Sequence, residues 1–289
     1  MTKVALLNFF RNIFKLRFLE KWLWEKTNDK LPDNFICKFV PNPVQYKSPE
    51  YRDFERNGVK MLVDISDYIG HYVYYGFKDP SMDKLFSLCR KGYNVLDVGT
   101  NIGYTLLNFS RISETGKVIG FEPDANNRER CGKNLRLNNT DNIKVLPFGL
   151  GESNAVFKME VRTPCNRGGN RICLDEDKDD LFEVEVKRMD DIPDVQSLEK
   201  IDLIKIDVEG YELNVLKGSV GTLKKFKPVL FIELDDNNLR YQGGSSAQLV
   251  LFLNDLGYNR IINAENDLPI VHDGDFSNCH FDIVAYHEV

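Results

Sequence analysis

A strand that ends in a glycine-bearing loop and runs straight into a helix commits a chain to very few architectures. Residues Asn94-Val95-Leu96-Asp97-Val98-Gly99-Thr100-Asn101-Ile102-Gly103-Tyr104 read as that unit. The glycines are spaced G-x-x-x-G, so the G-x-G that lets a pyrophosphate press onto a helix N-terminus is missing, and an acid, Asp97, comes shortly before the first glycine. Such a loop suits a nucleoside cofactor that carries positive charge and no phosphate. S-adenosylmethionine, with its sulfonium and ammonium groups, meets that description.

Two further segments follow. Val118-Ile119-Gly120-Phe121-Glu122-Pro123 is a short apolar strand ending in a carboxylate 25 residues beyond Asp97, where doubly wound folds place the acid that accepts ribose hydroxyls. Ile201 to Ile206 is a β-branched strand opening into the acidic turn Asp207-Val208-Glu209-Gly210-Tyr211-Glu212 and then a helix. Lys205, Asp207, Glu209 and Glu212 crowd its carboxyl end.

In this order the three segments, D-V-G-x-N-x-G, F-E-P and K-I-D-V-E-G-x-E, resemble the FkbM family of S-adenosylmethionine-dependent methyltransferases. The likeness runs from about Lys91 to the C-terminus and includes Ile143 to Gly151, Met189-Asp190-Asp191 and Pro228 to Leu234. Thr100 departs from it, standing where the family commonly has alanine. The resemblance implies O-methylation of a hydroxyl on a sugar, a glycan or a small secondary metabolite. It implies cofactor contacts at Asp97, Gly99, Thr100, Asn101, Gly103, Glu122, Pro123, Phe148 and Gly149. A metal-dependent enzyme of catechol type and a non-catalytic, membrane-associated cofactor binder are the alternatives. A nicotinamide oxidoreductase is disfavoured by the missing G-x-G.

The fold expected is a doubly wound, Rossmann-like α/β sheet, mostly parallel, with an antiparallel edge pair, preceded by a helical and strand extension. Parallel strands at 94–98, 117–121, 143–146, 203–207 and 229–234 alternate with helices at 104–111, 126–138, 212–222 and 247–256. Residues 258–263 and 281–286 read as the edge pair. An insertion over 152–191 holds strands at 155–161 and 182–188 around a loop, 163–171. There Arg167 and Arg171 are placed to clamp a phosphate, a sugar acid or a polyhydroxyl. The extension is assigned to 1–90, as an amphipathic helix with a lid or substrate wall, and the methyltransferase domain to 91–289.

At 289 residues with 42% hydrophobic side chains, the chain can bury a full core. The net charge of −6 offers no general attraction to nucleic acid. Six scattered cysteines without a C-x-x-C suggest neither zinc knuckle nor redox pair, and fit a reducing cytoplasm. Near the N-terminus basic residues interrupt every apolar run, so neither a membrane span nor a signal peptide is expected. Up to Leu16, Asn8, Arg11, Asn12 and Lys15 share one helical face opposite Leu6, Phe10, Ile13 and Phe14. That helix either packs its apolar stripe on protein or lies peripherally on an anionic membrane.

For an alcohol acceptor, methyl transfer needs alignment and a base. Asp207 and Glu209 are the positional candidates, with Lys205 as a carboxylate partner and His280, leading into the last strand, and His71 as the histidines available. Glu233, ending the strand next to Asp207, faces the acceptor or shares a Mg²⁺ with it. The metal-free scheme is preferred, since no third ligand has a recognisable spacing.

Overall fold

The computed structural model describes residues 3–163, 165–175 and 178–288; Met1, Thr2, Pro164, Glu176, Asp177 and Val289 lie outside the described residues. The chain forms two compact units, one of residues 1–80 with 162–169, the other of 81–161 with 170–289.

In the first unit, helices α1 (Lys3–Ile13) and α2 (Arg17–Thr27) are followed by two 3₁₀ turns and a hairpin, β1 (Tyr51–Arg56) and β2 (Val59–Asp64), then α3 (Tyr68–Tyr75). Asn57 and Gly58 both have positive φ, 51° and 75°, as a two-residue hairpin turn of the right twist requires. Asp67 caps α3 by accepting from the backbone N–H of Ile69 and Gly70. Leu23, Met61, Val63, Ile65, Tyr74 and Tyr75 are buried, so two of the three tyrosines of the 72–75 cluster serve this unit's core. A buried, bidentate ion pair joins Arg52 to Glu20, Nε–Oε1 at 2.5 Å and Nη2–Oε2 at 2.8 Å. His71 is buried, its Nε2 2.7 Å from the Pro41 carbonyl. Burial pulls its pKa down to about 4, so it packs as a neutral ring.

The second unit is doubly wound. Its elements are α4 (Pro80–Leu88), β3 (Val95–Val98), α5 (Tyr104–Ser113), β4 (Val118–Phe121), α6 (Ala125–Arg136), β5 (Ile143–Leu146), β6 (Gly149–Leu150), β7 (Ala155–Glu160), β8 (Arg171–Ile172) and β9 (Phe182–Lys187). There follow α7 (Pro193–Gln196), β10 (Leu203–Ile206), α8 (Glu212–Lys217), α9 (Val220–Phe226), β11 (Val229–Asp235), α10 (Asp236–Tyr241), α11 (Ser246–Asp255), β12 (Arg260–Asn263) and β13 (His280–Tyr286). Seven strands form the main sheet in the order β12-β13-β11-β10-β3-β4-β5. Strands β11, β10, β3, β4 and β5 are parallel, and β13 pairs antiparallel with both β11 and β12. The mostly parallel sheet with its antiparallel edge pair is the architecture expected from the alternation of elements.

Strand alternation gives the sheet two apolar faces. One carries Leu96, Val98, Ile204, Ile206, Leu230 and Ile232; the other carries Val95, Val118, Leu203, Phe231 and Val284. The insertion builds a separate sheet in the order β6-β9-β7-β8; its two expected strands are β7 and β9, which pair antiparallel. One helix differs from expectation: 212–222 is broken into α8 and α9. A Cβ at Gly218 would stand 1.8 Å from the Gly151 carbonyl oxygen, so the two backbones meet where a continuous helix would carry side chains.

Candidate active site

The chemistry-bearing residues gather at the carboxyl ends of β3, β10 and β11. Asp97 is in register with Lys205, and Lys205 with Phe231; on the antiparallel side Glu233 faces Asp282. Alternation therefore puts Asp97, Lys205, Glu233 and Asp282 on the sheet face that carries Val95, Leu203 and Phe231. Asp207, one residue past β10, extends the pairing through its backbone N–H to the Val98 carbonyl.

Lys205 is the cation of this row. Its Nζ lies 3.2 Å from Asp207 Oδ2 and 3.7 Å from Asp97 Oδ1, and donates to the carbonyls of Gly99, at 3.0 Å, and Val98, at 3.4 Å. Burial acts to strip its proton, but Asp207 and then Asp97 outweigh that, and its pKa is raised. Asp97 has no exposed surface; its Oδ2 accepts from the Thr105 hydroxyl at 2.6 Å. Burial raises its pKa against the pull of Lys205. It can therefore act on a ligand only through Lys205 and the loop.

Glu233 is the unbalanced member. Its Oε2 is sealed from solvent and, among the described residues, has no hydrogen-bond partner. Burial first, then the charges of Asp207, Glu212, Glu209 and Asp282, push its pKa well above the carboxylate range. With Asp97 and Asp207 paired to one ammonium and Glu233 and Asp282 following on the same face, keeping a proton on Glu233 relieves the repulsion between these acids.

The glycine loop is held against this row. Gly99 has φ +84°, and a Cβ there would lie 1.9 Å from the Asp207 carbonyl oxygen; only glycine lets β3 and β10 turn out side by side. Thr100 fits in place of a smaller residue because its hydroxyl donates back to the Asp97 carbonyl at 2.9 Å. Glu122 accepts from the backbone N–H of Asn101 at 2.7 Å and of Asp124 at 2.9 Å. Despite those bonds, burial raises its pKa to about 7. Pro123 lies against Gly149, and Phe148 is buried beside Phe121, ring centroids 6.1 Å apart.

The β10–α8 turn is pinned by Glu212, which accepts from the N–H of Val208 at 3.0 Å and Gly210 at 3.1 Å. Glu209 sits in the left-handed region, φ +57°, and accepts from Asn238 Nδ2 at 3.1 Å. His280 is exposed and its Nδ1 lies 2.9 Å from Asp235 Oδ2, two register pairs beyond Glu233 and Asp282. Arg171 commits its guanidinium to Glu160, at 2.7 Å, and to the Tyr241 ring, 3.5 Å from its centroid. Arg167 belongs to the first unit, so the two arginines of the insertion loop fall in different units. All six cysteines, Cys165 and Cys173 included, are free. Among the described residues no group of three or more His, Cys, Asp or Glu is arranged to hold a metal ion.

The sequence reading missed Asp282, Asn238 and the stapling role of Glu212. Asp282 had a signal: it is the one acid in a run, Phe281-Asp282-Ile283-Val284-Ala285-Tyr286, that otherwise reads as a buried strand.

Comparison with known proteins matches this architecture. The methyltransferase FkbM domain aligns with residues 97–260, from the acid of the glycine loop to the first residue of β12. The chain is 33% identical over 156 residues to methyltransferase sdnD of Sordaria araneosa, covering 43% of this chain and 59% of that one. It is 28% identical over 176 residues to the 2-O-methyltransferase NoeI of Sinorhizobium fredii, covering 55% and 70%. It is 27% identical over 135 residues to the hexuronic acid methyltransferase AglP of Haloferax volcanii, covering 46% and 53%. The match thus spans little more than half the length of two of these three relatives. With more than half of its residues inside the matched domain, the chain belongs to the FkbM methyltransferase family.

Proposed function

We propose that this chain transfers a methyl group from S-adenosylmethionine to a hydroxyl oxygen of a sugar or sugar-acid unit. The observation that carries this reading is the row at the strand ends beside the Gly99–Gly103 loop, where Lys205 pairs with Asp97 and Asp207 and the further acids Glu233 and Asp282 share the same sheet face, a site short of positive charge that a cationic cofactor would complete. The sealed, unpartnered Glu233 Oε2 and the close loop at Gly99 support the fit. The printed names of NoeI and AglP, a 2-O-methyltransferase and a hexuronic acid methyltransferase, support the acceptor class.

Bound there, S-adenosylmethionine supplies an electrophilic methyl carbon whose bond to sulfur breaks with the electron pair staying on sulfur. The protein's share is orientation and proton removal. Glu122, with both oxygens already fixed by backbone N–H groups, presents its remaining lone pairs to the ribose hydroxyls. Lys205 holds Asp207 at the strand end and opposes the upward pull of burial on Asp97 beneath the loop. Glu233 takes the acceptor's proton as the new O–C bond forms: its pKa is raised and its side chain is only partly buried, whereas Asp97 has no exposed surface and Glu209 is engaged by Asn238. Since a protonated Glu233 cannot act as the base, turnover should rise with pH.

Glu122→Ala should weaken S-adenosylmethionine binding by about 1.5–3 kcal/mol, the cost of losing hydrogen bonds to a charged group. Calorimetry on the folded variant checks it. Unchanged affinity would remove Glu122 from the cofactor site.

A further inference from the structure

The first helix is set on the protein the wrong way round for a soluble helix. Its polar face is the one that docks: Arg11 Nε donates to the Lys38 carbonyl at 2.8 Å and Lys15 Nζ to the Gln45 carbonyl at 2.5 Å. The apolar stripe is turned outward, with Phe9 57%, Phe10 41% and Ile13 38% exposed. Leu7 is half-buried, and Phe14, just past the end of the helix, packs inward on Phe39 and Trp22, centroids 5.6 and 6.1 Å apart. The bend between α1 and α2 adds Leu16 and Phe18, 54% and 70% exposed. An eleven-residue helix is marginal in water without a buried face, and a grouped exposed apolar surface marks a binding site.

The charge around this surface selects the partner. Residues 1–47 hold nine Lys and Arg against four Asp and Glu, in a chain of net charge −6. One of those acids, Glu20, is buried against Arg52, while Arg17, Lys21 and Lys26 of α2 are exposed beside Phe18 and Trp22. Aromatic and aliphatic side chains bordered by lysine and arginine, with a tryptophan at the rim, fit the boundary between lipid headgroups and acyl chains. Among the described residues no helix is long and apolar enough to cross a membrane, which leaves contact in the plane of the surface.

We propose that the outward face of α1, with the α1–α2 bend, binds the surface of an anionic lipid bilayer. The bend seats Phe18 in the interface, and the α2 cations meet the lipid phosphates. This goes beyond the methyl-transfer reading and does not depend on it.

The test uses the full chain and vesicles of phosphatidylcholine with and without phosphatidylglycerol, read by co-sedimentation and by Trp22 fluorescence. Expected are binding to the anionic vesicles with a blue shift, about tenfold weakening in high salt, and comparable weakening in the Lys21→Glu/Lys26→Glu variant. Phe9→Ser/Phe18→Ser should abolish binding, with an unchanged circular dichroism spectrum because both residues are on the surface. The proposal is overturned if neutral vesicles bind as well, if neither variant differs from wild type, or if the protein ignores vesicles. It is equally overturned if the same phenylalanines instead govern a concentration-dependent dimer seen by light scattering.

Discussion

Replacing Glu233 with glutamine is expected to lower methyl transfer by about 10²-fold or more while S-adenosylmethionine still binds. The amide keeps the shape of the side chain and removes the proton acceptor. It also removes a titration. In the wild type, burial and the neighbouring acids hold the Glu233 pKa well above the usual range, so rate should climb as pH rises through that raised value. In Glu233→Gln the acid limb should vanish and leave a low, flat profile, and Glu233→Asp should restore part of the rate. The readout is transfer of label from methyl-labelled cofactor to a panel of hexose and uronic acid acceptors. If Asp207→Asn removes the acid limb and Glu233→Gln leaves it intact, the proton goes to Asp207 instead.

Lys205→Met is expected to destabilise the fold by about 3–5 kcal/mol, the cost of stripping one partner from a buried ion pair. Asp97, fully buried, would lose the one ion-pair partner it has among the described residues. The effect should depend on pH with a definite sign. Without the lysine the folded-state pKa of Asp97, already raised by burial, rises further above its unfolded value. The penalty is therefore small in acid, where Asp97 carries a proton in both states, and grows as pH rises from the wild-type folded value to the variant's higher one. Denaturant unfolding of wild type and variant at acid and neutral pH measures it. A loss below about 1 kcal/mol at neutral pH would show that the row is not held by this charge.

The parts of this site visible in the sequence are those encoded within one segment. The 94–104 strand and loop, Glu122 at its strand end and the 201–212 turn are local patterns, and each lies where local periodicity put it. What stayed hidden depends on register between strands. Glu233 meets Asp282 because β13 runs antiparallel to β11 with Leu230 opposite Ala285, and no spacing in one chain fixes that pairing. Asn238 reaches Glu209 from a helix 29 residues on. Only half of the hairpin was legible: Val59 to Ile65 alternates as a strand and forms β2, whereas β1, Tyr51-Arg52-Asp53-Phe54-Glu55-Arg56, alternates charges with aromatics and gives a weaker signal, although Asn57-Gly58 just after it is a strong turn signal. The orientation of α1 was readable only as a choice. Its amphipathic period was plain, but which face docks depended on the carbonyls of Lys38 and Gln45.

At the centre of this mechanism a carboxylate row short of positive charge receives the sulfonium end of the cofactor. Calorimetric titration with S-adenosylmethionine and with its demethylated thioether product, in two buffers of different ionisation enthalpy near neutral pH, tests it most directly. The predicted result is that the sulfonium form binds with release of a proton from the row, and binds more weakly as pH falls, while the thioether releases fewer protons and is less sensitive to pH. Failure of both to bind, or equal proton release and equal pH dependence for the two, would contradict it.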